Sequence, residues 1–183
     1  MERRGMASYR TAGHRMAIDV FCADEQDQHS VDVERYGALA RRVLEAVALK
    51  GDVEVSLLFV DEASMAELNE RFLGEPGPTD VLAFPIEDQP EPGGRSPDEG
   101  GTGPGGPSDL DEIPLLLGDV VVCPAVAERN ASEHGVDTGS EVELLVVHGI
   151  LHLLGMDHEE EDEAQLMEQR QRDMLARFGS SGG

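Results

Sequence analysis

Tryptophan is absent from this chain of 183 residues, and with two Tyr and five Phe the aromatic share is only 4%. Rings cannot form the core, so Val, Leu, Ile, Ala and Met must fill it. Cysteine is almost as scarce. Cys22 and Cys123 are too few for a disulfide framework, and neither has a second Cys at ligand spacing. Both are expected as buried free thiols beside strands, outside any metal site. No stretch approaches the ~20 apolar residues of a membrane span. The N-terminus carries Arg3 and Arg4 without the apolar run of a signal peptide. The expected location is the cytoplasm.

Basic side chains are also in deficit: 14 Lys and Arg stand against 38 Asp and Glu, a formal charge of −24. Such a field repels nucleic acid, whose phosphates are normally met by Lys and Arg, so it weighs against an RNA substrate. The excess is concentrated, however. Residues 87–112 hold eight acids and one Arg, and Asp157 to Glu163 holds six acids. A metal cation in a cleft would also reverse the local sign. An RNA substrate is disfavoured by the net charge without being excluded.

The length fits one domain with a real core. Residues 1–15 have no periodicity and are expected to fray; the domain proper is read as 16–178, with a flexible tail at 179–183. A first strand is predicted over 16–21. Tyr36, Ala40, Val43, Leu44 and Val47 recur at helical spacing before Gly51. Val53 to Val60 is apolar and β-branched, a core strand. Asp61 is placed to cap a helix with Met65, Leu68 and Phe72 on one face and Gly74 at its end. A short strand from Val81 to Phe84 stops at Pro85. The segment 87–112, rich in Gly, Pro and acids, is read as a mobile loop inside the domain. Another strand, Leu115 to Val122, is predicted with an interruption at Gly118 and Asp119. Pro124 suits a first helical position and Gly135 the stop. Ser140 with Glu143 makes a capping-box pattern for a helix that is apolar nearly all round and so belongs in the domain centre. A last amphipathic helix turns Ala164, Met167, Met174, Leu175 and Phe178 inward. The fold class is α+β, one small mixed sheet packed with helices.

Within that central helix lies the most informative segment, HGILHLLGMDH, from His148 to His158. His148 and His152 are four residues apart and share one helix face. Gly155 lets the chain leave the helix, so that His158 can return to the same point. Three imidazoles arranged in this way form a tripod for one divalent metal with a position left open, the pattern of a catalytic rather than a structural zinc site. Zinc is the expected ion, although imidazoles also hold nickel, copper and iron. Two histidines in so apolar a helix are costly unless they have partners. His14, His29 and His134 stand alone in polar contexts and are given no role. The spacing is shared with metzincin peptidases, which carry Glu directly after the first His as general base. Here that position is Gly149, and Asp157 and Glu159 to Glu161 are better read as solvating the turn.

In order along the chain, ELN (Glu67 to Asn69), PTDVLAFP (Pro78 to Pro85), LLGDVVVC (Leu116 to Cys123) and HGILHLLGMDH resemble the YbeY family of metal-dependent endoribonucleases. The resemblance covers about two-thirds of the chain, and its last motif is the most specific. It implies an α+β domain with the metal on the central helix and the turn after it. It further implies cleavage of single-stranded RNA in 16S rRNA 3′-end maturation and ribosome quality control. The implied partners are rRNA and the small ribosomal subunit, with no membrane and no nucleotide cofactor. The family's metal ligands fall on His148, His152 and His158. Thr79 and Asp80 lie in the segment that lines the cleft in this family. The arginine usual before Gly74 is Leu73 here, with Arg71 about 200° away on an ideal helix; Arg71 is kept as a further candidate beside Thr79 and Asp80. Ala83 stands where serine is common. Two other readings stay open: a metzincin-like zinc peptidase, and a non-catalytic ribosome assembly factor with a structural metal.

Overall fold

The structure is a computed structural model that describes residues 17–47, 49, 51–86, 114–156 and 161–180. The expected frayed N-terminus at 1–15 and the acidic segment 87–112 lie outside the described residues, as does His158. Among the described residues four strands and five helices follow in order: β1 Ile18–Asp24, α1 Val33–Val47, β2 Val53–Phe59, α2 Glu62–Leu73, β3 Val81–Pro85, β4 Leu115–Val122, α3 Pro124–His134, α4 Thr138–Leu153 and α5 Glu161–Phe178. The sheet order is β1-β2-β4-β3. β1, β2 and β4 run parallel, and β3 is an antiparallel edge strand on β4. The α+β class with one small mixed sheet is as expected from the sequence.

The alternating residues of the strands explain the layers. Ile18, Val20 and Cys22 of β1, Val53, Val55, Leu57 and Phe59 of β2, and Val120 and Val122 of β4 form one core with α1 and α4. Tyr36 and Phe59 supply its ring contact, with centroids 5.5 Å apart. The opposite face holds a smaller cluster around Met65, Leu82 and Val121, covered by α2. Both cysteines are free and buried, and burial pushes the Cys22 thiol up to about 11. Among the described residues no helix is long and apolar enough to cross a membrane.

Several local expectations change in the structure. β1 starts and ends later than predicted, because Ile18 to Asp24 finds a full parallel partner in Val53 to Phe59. β4 is not interrupted at Gly118 and Asp119; it pairs on both sides through them. The break in pattern is a bulge: Glu54 pairs with Leu116 and Val55 with Gly118, leaving Leu117 as the extra residue. Gly118 takes φ 131°, and a Cβ there would stand 2.1 Å from Phe84 O. α2 keeps its Asp61 cap and Gly74 stop, but Phe72 and Leu73 are exposed. Asn69 is the buried residue instead, its Nδ2 donating to Gly77 O at 2.9 Å and drawing the 74–80 turn back onto the helix.

The capping box at Ser140 and Glu143 is also corrected. α4 begins two residues before Ser140, capped by Asp137, whose carboxylate accepts from Ser140 N at 3.0 Å and from the Ser140 hydroxyl. Glu143 is buried and does something else. Its Oε1 accepts from Arg35 Nε and Nη2 at 3.0 and 2.8 Å, and its carboxylate also receives Ser180 N. One carboxylate of α4 therefore ties the start of α1 to the end of α5. Ser180, expected in a flexible tail, is bound to the domain by this contact; 181–183 lie outside the described residues.

Candidate metal centre

α4 runs through the middle of the domain, against β3, β4, α1, α3 and α5. Its hydrophobic residues, among them Leu145, Val146, Val147, Ile150 and Leu151, are buried in those contacts. His148 and His152 occupy the remaining stripe, half-buried, where α4 passes beside the edge strand β3. Gly149 lies between them in sequence and lets the helix backbone settle onto Val120 of β4. The helix ends at Leu154, and Gly155 takes φ 79°, the left-handed turn expected of it.

The two imidazoles meet face to edge, with ring centroids 4.6 Å apart and an interplanar angle of 79°. Their Nε2 atoms are 3.0 Å apart. Two nitrogens each about 2.0–2.1 Å from one ion are separated by roughly this distance when they are neighbouring ligands. The donor set therefore fits a divalent metal. The described residues supply two of the three expected ligands. Among the described residues no group of three His, Cys, Asp or Glu is placed to hold an ion. His158 and the preceding Asp157 lie outside that set.

A neighbour from α5, which sequence reasoning did not find, touches the first of the pair. His148 Nδ1 lies 2.9 Å from Gln171 Oε1. No local motif marks Gln171; only the packing of α5 against α4 brings it here.

An open pocket of about 490 Å³ lies in front of the histidines, walled by Asp80, Val81, Ala83, Gly155 and Met156. Asp80 is thus brought to the site. Its Oδ1 accepts from Val81 N at 2.7 Å and from the Thr79 hydroxyl at 3.3 Å, and its Oδ2 accepts from Asn130 Nδ2 at 3.0 Å. Its backbone oxygen accepts from Cys123 N at 2.8 Å, which locks the entry of β3 to the end of β4. Thr79 meets Asp80, whereas Arg71 is elsewhere: it lies over the Phe72 ring, 5.4 Å from its centroid, in a separate groove with Leu68, Phe84 and Asp119. Leu73 is exposed at the end of α2. None of the described residues lining the histidine pocket is Lys or Arg.

Of the other histidines, His29 approaches Glu128 at 3.5 Å and His134 approaches Glu141 at 3.3 Å, both away from the pocket.

Comparison with known proteins gives consistent matches. The family model for endoribonuclease YbeY matches residues 21–179. Endoribonuclease YbeY of Thermobifida fusca is 44% identical over 161 residues, covering 88% of this chain and 93% of that protein. That of Acidothermus cellulolyticus is 46% identical over 151 residues, covering 81% and 86%. Among solved structures, the solution structure of TM1509 from Thermotoga maritima superposes with a TM-score of 0.51 at 25% identity, covering 88% of this chain and 91% of that one.

Proposed function

This chain belongs to the YbeY family, and from that premise we propose that it is an endoribonuclease of rRNA maturation whose site is the pocket in front of His148 and His152. The observation that carries the placement is the 3.0 Å approach of the two Nε2 atoms on that pocket's wall. His158 is the proposed third ligand, and zinc the proposed ion. When bound, such an ion would supply a Lewis acid for a phosphoryl oxygen and lower the pKa of a coordinated water to near neutrality.

The chain's own groups do the rest. The pocket is open enough to take a phosphodiester, and phosphoryl transfer depends chiefly on positioning and electrostatics. Asp80 has its carboxylate committed to Val81 N, Thr79 and Asn130, so it acts by holding the β3 wall beside the histidines. Among the described residues the wall strand β3 is the sheet edge, and a single RNA strand would approach the pocket from that side. No Lys or Arg stands on the described walls, so these side chains offer a phosphate no fixed positive charge. The partners in this reading are rRNA and the small ribosomal subunit, and the location is the cytoplasm.

The peptidase reading is not favoured. It needs a carboxylate directly after His148, and that position packs on Val120 with no room for one.

The test combines metal analysis of the purified protein with cleavage of a single-stranded rRNA 3′ end by wild type and His152→Ala. One equivalent of zinc and cleavage lost in the variant is the expected result. A 2′,3′-cyclic phosphate end would identify the 2′-OH as nucleophile, and a 5′-phosphate would identify water. Equal cleavage by both proteins would refute the assignment, as would stoichiometric metal retained by the His148→Ala/His152→Ala double variant.

A further inference from the structure

We propose that Gln171 is a positioning residue: it holds the ring proton of His148 on Nδ1, so that Nε2 presents its lone pair to the ion. This rests on the metal reading above. The contact is 2.9 Å from Nδ1 to Oε1, and Gln171 is half-buried where α5 crosses α4. With its oxygen towards the ring the amide can only accept, so the contact is a hydrogen bond when the ring proton is on Nδ1. The opposite amide orientation would place an NH₂ against Nδ1, move the proton to Nε2 and remove the lone pair that a metal needs.

The helix that carries Gln171 is held at two points. Met167, one turn earlier and on the same face, is buried in the main core. After the last turn, Ser180 N is bound by Glu143. The amide is therefore delivered by a fixed scaffold rather than by a mobile side chain on a loop. Its neutrality matters as well. A carboxylate in this place would fix the same tautomer but add a negative charge that makes the imidazole more basic and the ion less electrophilic. Glutamine orients the ligand without that charge, in a chain that otherwise carries many acids.

The test uses full-length Gln171→Met and Gln171→Glu. Two readouts are taken: zinc affinity by chelator competition, and the ring-nitrogen NMR signals of His148 in metal-stripped protein. Wild type is expected to show His148 protonated on Nδ1. Gln171→Met is expected to lose that preference and to bind zinc about 10–100-fold more weakly. Gln171→Glu, which still accepts, is expected to keep the tautomer and bind zinc at least as tightly as wild type. An unchanged His148 tautomer together with unchanged zinc affinity in Gln171→Met would overturn the proposal. If that variant does not fold, weaker zinc binding by Gln171→Glu overturns it instead. Because the tautomer is read without metal, a wild type that binds no zinc but shows Gln171-dependent protonation would sink the metal reading and leave the positioning role standing.

Discussion

Val120 fills the space in which a side chain on Gly149 would stand: a Cβ built there would lie 2.5 Å from Val120 Cγ1 and 3.1 Å from Cγ2. The glycine after the first histidine is thus a contact between α4 and the central strand β4, and the depth at which His148 sits is set by it. Gly149→Ala is expected to lower the unfolding free energy by about 1–3 kcal/mol, the usual cost of overpacking, as read from urea denaturation. The helix gain of Ala over Gly, about 1 kcal/mol, opposes this but does not reverse it. A variant as stable as wild type would mean that α4 has room to move off β4.

The buried Glu143 carboxylate holds Arg35 and Ser180 at once, with its side chain 5% exposed and that of Arg35 35% exposed. Arg35→Met leaves the carboxylate without its guanidinium. The expected loss is about 2 kcal/mol, below the ~3–5 for a fully buried pair because the arginine is partly solvated. Glu143→Ala also frees the end of α5, so its amides are expected to exchange faster than those of α1. Equal exchange in both helices would contradict the clasp.

The helix caps set an acid limit. Hydrogen bonds from Ser64 N hold the Asp61 carboxyl below its usual 3.8, and the Ser140 hydroxyl and N–H do the same for Asp137. A depressed folded pKa means stability that is present above the unfolded value and lost as pH falls through the folded one. Asp61→Ala and Asp137→Ala are expected to lower Tm at pH 7 and to converge on wild type as pH falls through the depressed carboxyl values. A Tm gap that persists at pH 2 would rule out the charge as its source.

RNA binding is expected to depend weakly on salt. Each phosphate neutralised on a single strand contributes a slope of about −0.7 in log K against log salt, so a pocket with no Lys or Arg among its described residues gives a slope shallower than about −2. The measurement is titration of His152→Ala with a short single strand at several KCl concentrations. A slope near −4 would show that basic residues elsewhere on the chain engage the backbone.

The readable parts of the molecule were those with a local cause. The period of Tyr36, Ala40, Val43 and Leu44 is the buried face of α1, and Asp61 and Gly74 bound α2 as their chemistry demands. His148 and His152 were legible because a spacing of four fixes a helix face. What failed had a distant or competing cause. Ser140 offered a cap, but Asp137 three residues earlier already satisfied the helix end. The bulge at Gly118 is set by pairing with β2 and β3, which no window around residue 118 contains. Phe72 fits a helical stripe with Met65 and Leu68, yet it lies exposed against Phe84, with ring centroids 4.8 Å apart. Gln171 is 23 positions from His148, and only the docking of α5 gives it meaning.

The sheet order has a consequence for synthesis. β1 and β2 are made early, but the inner neighbour of β2 is β4, so Val53 waits for Leu115. Until then one strand edge is open, and long-range pairing of this kind is slow and prone to wrong partners. α4 can seat its histidines only once Val120 is in place. The pocket between Asp80 and His148 can therefore form only after α4 has been made, when more than four-fifths of the chain has been synthesised.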